Sequence, residues 1–164
     1  MTDKFTRKEF LKLTGAAAGA GILASSGLGS VANAQSSDLL HRTIHSTGEQ
    51  VPAVGLGTAL EFGTFANDAE FMLRRNAIET LFKEGGTVID TSPTYRDAEI
   101  AVGRALDELG ARDKCFLATK ISISGQQEGV DQNAQSQKDL RTNKFDLLQV
   151  HNLRDTEAHL ETIN

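Results

Sequence analysis

Short apolar runs alternate with longer amphipathic ones through most of this 164-residue chain. Residues 42–45 and 49–51 flank Ser46-Thr47-Gly48, a pattern that predicts a small β-hairpin with a glycine turn. Residues 54–57 follow as a short strand ending at Thr58. Asn67-Asp68 reads as a cap for a helix over 69–84, with Phe71, Leu73, Ala77, Ile78, Leu81 and Phe82 as its apolar stripe. Gly85-Gly86 ends it. Residues 87–89 are apolar or β-branched without alternation, as in a parallel strand covered on both faces. Ala98, Ala101, Val102, Ala105, Leu106 and Leu109 then fall on one unbroken helical face, closed by Gly110. Residues 115–119 read as the next strand. A polar loop around Gly125 and Gly129 leads to a weak helix over 131–141, with Val130, Ala134 and Leu140 as its apolar contacts. Residues 145–150 make a fourth strand, and Asp155 caps a last helix. A hairpin followed by four strand–helix units predicts an α/β fold with a parallel sheet and right-handed crossovers.

The first 34 residues read differently. Thr6-Arg7-Lys8-Glu9-Phe10-Leu11-Lys12 precedes an uncharged stretch of Ala, Gly, Leu and Ser, which ends at Ala32-Asn33-Ala34. A basic start, an apolar middle and a small-residue end make a secretory leader. Residues 6–12 look like the twin-arginine export motif, with Lys8 where that motif has its second arginine. Export to the periplasm is therefore expected, the mature domain being residues 35–164. An uncleaved amphipathic tail, a Sec leader and a cytoplasmic location are the other readings. The apolar middle is too weak for a stable membrane span.

Charge narrows the partners. Net charge is -5. Residues 1–34 carry Lys4, Arg7, Lys8 and Lys12 against Asp3 and Glu9, a balance of +2, so the remainder stands at -5 minus 2, or -7. A mildly acidic body without a basic stripe argues against nucleic acid as a partner. The single Cys115 excludes an internal disulfide, and its apolar neighbours suit a small buried residue. Arg74, Arg75 and Arg96 read as solvated charges rather than phosphate ligands.

Four polar residues stand apart. Asp90, Lys120 and His151 each end a strand-like run, and Tyr95 lies on the loop after Asp90. Each has an ordinary reading alone: a turn cap, a solvated strand end, a satisfied histidine. Together they fit the C-terminal mouth of a β/α barrel, where reacting residues gather. A nearby ammonium stabilises a phenolate, so Lys120 would ease proton loss from Tyr95. Asp90 would pair with Lys120, because an unpaired buried ammonium is costly.

Four segments resemble the aldo-keto reductase family. They are Gly86-Thr87-Val88-Ile89-Asp90-Thr91-Ser92 with Tyr95, Ala98-Glu99 and Val102-Gly103; residues 112–120; residues 146–152; and residues 51–58. The likeness covers nearly all of residues 42–164, and the hairpin is similar to the plug that closes the family's barrel floor. It implies half of a (β/α)8 TIM barrel and a catalytic tetrad of Asp90, Tyr95, Lys120 and His151. It implies a nicotinamide cofactor, usually NADPH, touched by Gly57, Thr58 and Asp90. The implied substrate is a small carbonyl compound, met by His151 and Asn152, reduced to an alcohol; no metal is implied.

A closed barrel of this kind has eight strands and about 250 residues. Only four strands are legible here, so most of the cofactor site is expected in a missing C-terminal half. The chain is expected to be the front of a reductase, inactive or nearly so alone. The alternative is a non-catalytic half-barrel that binds or self-associates through its open sheet edges.

Overall fold

A four-stranded parallel sheet organises the part of the chain that the computed structural model describes, residues 39–163. The leader-like segment lies outside those residues. Strands β3 (Leu56–Gly57), β4 (Val88–Asp90), β5 (Phe116–Ile121) and β6 (Leu147–Val150) lie side by side in chain order. Helices α1 (Asp68–Lys83), α2 (Ala98–Leu109) and α3 (Gln126–Asp139) connect them, and α4 (Thr156–Ile163) follows β6. The expected hairpin is present: β1 (His41–Thr43) pairs antiparallel with β2 (Gln50–Pro52), Arg42 opposite Val51.

The core lies between sheet and helices. Ile89 and Leu117 come from the sheet, Phe71 and Ile78 from α1, and Ala98, Ala101, Val102, Ala105 and Leu106 from α2. Each large side chain fully withdrawn from water contributes about 1.5–3 kcal/mol. The small residues of α2 let it approach both the sheet and its neighbour helices. At Gly103 an added Cβ would fall on the main chain of Asp139 and Leu140, so only glycine permits this contact. Ion pairs then lace the helices together. Arg104 bonds Asp68 at 2.9 Å and lies over the Phe71 ring, and Arg141 bonds Asp107 at 2.7 Å.

Four details depart from the sequence reading. The strand expected over 54–57 is shortened to Leu56–Gly57, because residue 53 is still committed to the hairpin through Ala53 N–H to the Leu40 carbonyl, 2.7 Å. On α1, Leu73 is 66% exposed and Ala77 is exposed as well. At about 100° per residue they sit on the face opposite Phe71 and Ile78. Helix α3 begins at Gln126, not near 131, and takes in Gly129. That glycine is not a loop signal: an added Cβ would lie 2.8 Å from the buried His159 ring. Val130 and Ala134 are exposed, and α3 instead turns Gly129 and Ser136 inward. Asp155 does precede α4, but its carboxylate accepts the Gly125 N–H at 2.8 Å and so ties down the start of α3.

The arginine reading also changes. Arg74 is half-buried and donates to the Glu70 and Thr64 carbonyls at 2.8 and 2.7 Å. Arg75 bridges Glu79 and Glu108. Both bind helix α1 to its surroundings. Arg96 is exposed, as expected.

Candidate active site

Parallel strands in one sheet all finish at the same edge, and the register brings the polar ends together. Gly57 is level with Asp90, Asp90 with Ala118, and Lys120 with Gln149. Lys120 therefore stands two residues beyond the level of Asp90, on the same face of the sheet. Its ammonium donates to both Asp90 carboxylate oxygens, at 2.8 and 2.7 Å, and to the Thr91 carbonyl at 2.7 Å. Three donors meet three acceptors, so a side chain that is only 12% exposed keeps its charge satisfied.

The loop after β4 turns tightly, with Tyr95 N–H on the Ser92 carbonyl at 3.0 Å. That turn brings the Tyr95 ring under the Lys120 ammonium, 5.2 Å from nitrogen to ring centroid. Gly63 makes room for it, since a Cβ there would lie 2.7 Å from the Tyr95 carbonyl oxygen. The half-buried His151 meets Tyr95 edge-on, ring centroids 5.9 Å apart and planes at 87°. All four residues singled out in the sequence thus gather at one mouth.

The secondary candidates divide. Thr58 is fully buried, and its hydroxyl and N–H both donate to the Asp90 carbonyl oxygen, at 3.0 and 3.1 Å. Its side chain steadies the strand that carries Asp90. Gly57 is exposed beside Asp90, and an added Cβ would meet nothing within 4 Å. Asn152 is exposed at a left-handed φ of 55°, in the single helical turn after β6. Asparagine tolerates that conformation better than most residues.

Three polar residues of this region escaped the sequence reading. Ser92 and Thr94 both contact Nδ1 of His151, at 3.1 and 3.3 Å. Glu99 is buried behind β5 and accepts bonds from the hydroxyls of Thr119, beside Lys120, and Ser136. Burial raises its carboxyl above the ordinary value, against the pull of those two hydroxyls. Ser92 and Glu99 both lie inside the signature segment quoted above. No pattern in the chain tells that a hydroxyl at 92 meets a ring at 151. Cys115 is buried as expected, and burial pushes its thiol up to about 12. Among the described residues no cluster of His, Cys, Asp and Glu could hold a metal ion.

Residues 53–164 match the profile of the aldo/keto reductase family. The chain belongs to this family. The aldo-keto reductase YhdN of Bacillus subtilis is 32% identical over 123 residues, a match covering 68% of this chain and 37% of that protein. Glycerol 2-dehydrogenase (NADP(+)) of Saccharomyces cerevisiae is 35% identical over 107 residues, covering 65% and 31%. A crystal structure of an aldo-keto reductase from Klebsiella pneumoniae in complex with NADPH superposes with a TM-score of 0.63 at 28% identity. That match covers 76% of this chain and 46% of the Klebsiella chain. This aldo/keto reductase chain therefore spans about a third of those two curated relatives and just under half of that structure. Its sheet and helices correspond to part of a (β/α)8 barrel.

Proposed function

We propose that this chain carries the proton-transfer residues of an NADP-linked carbonyl reduction, turning an aldehyde or ketone into an alcohol. The single observation that supports this reading most is Lys120, held by Asp90 at 2.7 Å and standing over the Tyr95 ring. A phenol ordinarily loses its proton near pH 10. A fixed ammonium beside it favours the phenolate, so Tyr95 gives its proton to a carbonyl oxygen more readily. Asp90 keeps Lys120 in place, and Thr58 keeps Asp90 in place. His151, set edge-on to Tyr95, orients the carbonyl by a hydrogen bond, and Asn152 lines the approach.

The residues present fit the nicotinamide end of the cofactor. Gly57 is exposed with open space above it, beside the partly exposed Asp90 carboxylate. Gly57 and Asp90 would hold that end, and the cofactor supplies the hydride when bound. Most of the remaining cofactor contacts are assigned to a segment not represented in residues 39–163.

The test is a chimera in which residues 42–164 replace the matching part of the Klebsiella pneumoniae enzyme. It is expected to reduce aldehydes with NADPH, and Tyr95→Phe should lower turnover about 100-fold or more, the scale of general acid catalysis. NADPH affinity should hardly change. Full turnover in the Tyr95→Phe chimera removes Tyr95 as the proton donor. Tight NADPH binding by the 164-residue chain alone would contradict the division of the cofactor site.

Two further proposals concern the chain as it stands. Export by the twin-arginine route is supported by residues 6–34 and is tested by fusing them to a reporter that matures only before translocation. Self-association is supported by β3 and β6, which carry no outer partner strand among the described residues. Sedimentation of the chain as a monomer at all concentrations would end that idea.

A further inference from the structure

We propose that Ser92, backed by Thr94, is a positioning residue that holds the neutral His151 ring as its Nε2–H tautomer. The inference deepens the functional reading above and rests on it only for its consequence.

Three atoms form a closed triangle. Ser92 Oγ lies 3.1 Å from His151 Nδ1, Thr94 Oγ1 lies 3.3 Å from the same nitrogen, and the two hydroxyl oxygens are 2.9 Å apart. Ser92 is fully buried, and its oxygen also faces the Thr94 N–H at 3.3 Å. A hydroxyl has one proton to give and two lone pairs to fill. If Nδ1 is bare, the protons run in one direction: Thr94 O–H to Ser92 Oγ, then Ser92 O–H to Nδ1. Ser92 then accepts twice and donates once, and every proton of the triangle is used inside the protein. If Nδ1 carries the proton, one N–H faces two oxygens, Ser92 must turn its proton to Thr94, and the Thr94 proton is left to solvent. The first arrangement makes more internal bonds around a buried oxygen, where an unmade bond is costly.

The bond made by one ring nitrogen decides which nitrogen holds the proton. With Nδ1 accepting, the proton sits on Nε2, on the far side of the ring from the two hydroxyls. The edge-on contact with Tyr95 fixes the ring plane. His151 thereby presents an N–H, not a lone pair, on the side away from Ser92. A donor there matches a carbonyl oxygen and rejects groups that only donate.

The test is long-range nitrogen–proton NMR on the 15N-labelled 164-residue chain, with the His151 signals assigned by their loss in His151→Asn. The expected wild-type pattern is a single Nε2–H tautomer. Ser92→Ala combined with Thr94→Val should lose that single pattern and show exchange between both tautomers. The single variants carry the same comparison with a smaller change to packing. A wild-type ring protonated at Nδ1, or variants whose His151 pattern does not move, overturns the inference. A bare Nδ1 alongside a Tyr95→Phe chimera of full turnover would leave this inference standing and remove the functional reading instead.

Discussion

The carboxylate of Asp90 grips the ammonium of Lys120 through both of its oxygens, at 2.8 and 2.7 Å, across the boundary between two adjacent strands. Lys120 is nearly enclosed while Asp90 is 40% exposed, so the pair is unequal. Asp90→Asn removes the counter-charge from the more buried partner. The expected cost is about 1–2 kcal/mol, discounted for the exposure of Asp90. Urea unfolding measures it, and an unchanged midpoint would show that Thr91 and solvent suffice for the ammonium.

Glu99 gives a pH signature. Burial raises its carboxyl above the ordinary value near 4.5, so the folded chain keeps this proton to higher pH than the unfolded chain. The stability due to this group is therefore full below the unfolded value and is lost as pH rises through the folded one. Glu99→Gln abolishes the titration and keeps a polar partner for Thr119 and Ser136. The stability of wild type relative to Glu99→Gln should decline from about pH 4 towards neutrality, by about 1.4 kcal/mol for each unit of displacement. A difference that stays flat over that range would refute the raised carboxyl.

Gly103 reports on the seam between α2 and α3. A methyl group there meets the main chain at Asp139 and Leu140, which cannot swing aside as a side chain does. Gly103→Ala should destabilise by about 1–3 kcal/mol, the usual range for overpacking. Thermal melting should register it as a drop of several degrees; an unaltered melt would mean the two helices are not in that contact.

Cys115 should be inert while the chain is folded. Only the thiolate attacks an alkylating reagent, and burial pushes this thiol up to about 12. Mass spectrometry after iodoacetamide treatment near pH 8 should find Cys115 unmodified in buffer and fully modified in urea. Rapid labelling in buffer would place the thiol at the surface.

What the amino-acid pattern revealed and what it concealed follow from distance along the chain. Helix α2 was legible to the residue, because Ala98 to Leu109 is one uninterrupted apolar face ended by Gly110. The tetrad was legible because strand ends share an edge, so three linear positions imply one place. Leu73 and Ala77 misled because apolar content was read without its angle around the helix axis. Gly129 misled because close packing against His159 and a loop both select glycine. Ser92, Thr94 and Glu99 remained hidden for a different reason. Their partners, His151, Thr119 and Ser136, are set by tertiary packing across other elements.

Because spatial order in the sheet repeats chain order, every strand's first neighbour is the one synthesised about 30 residues before it. Nothing in the sheet waits for a distant sequence to arrive. A nascent chain leaving the ribosome can add one strand and its covering helix at a time, each new unit docking on a template already made.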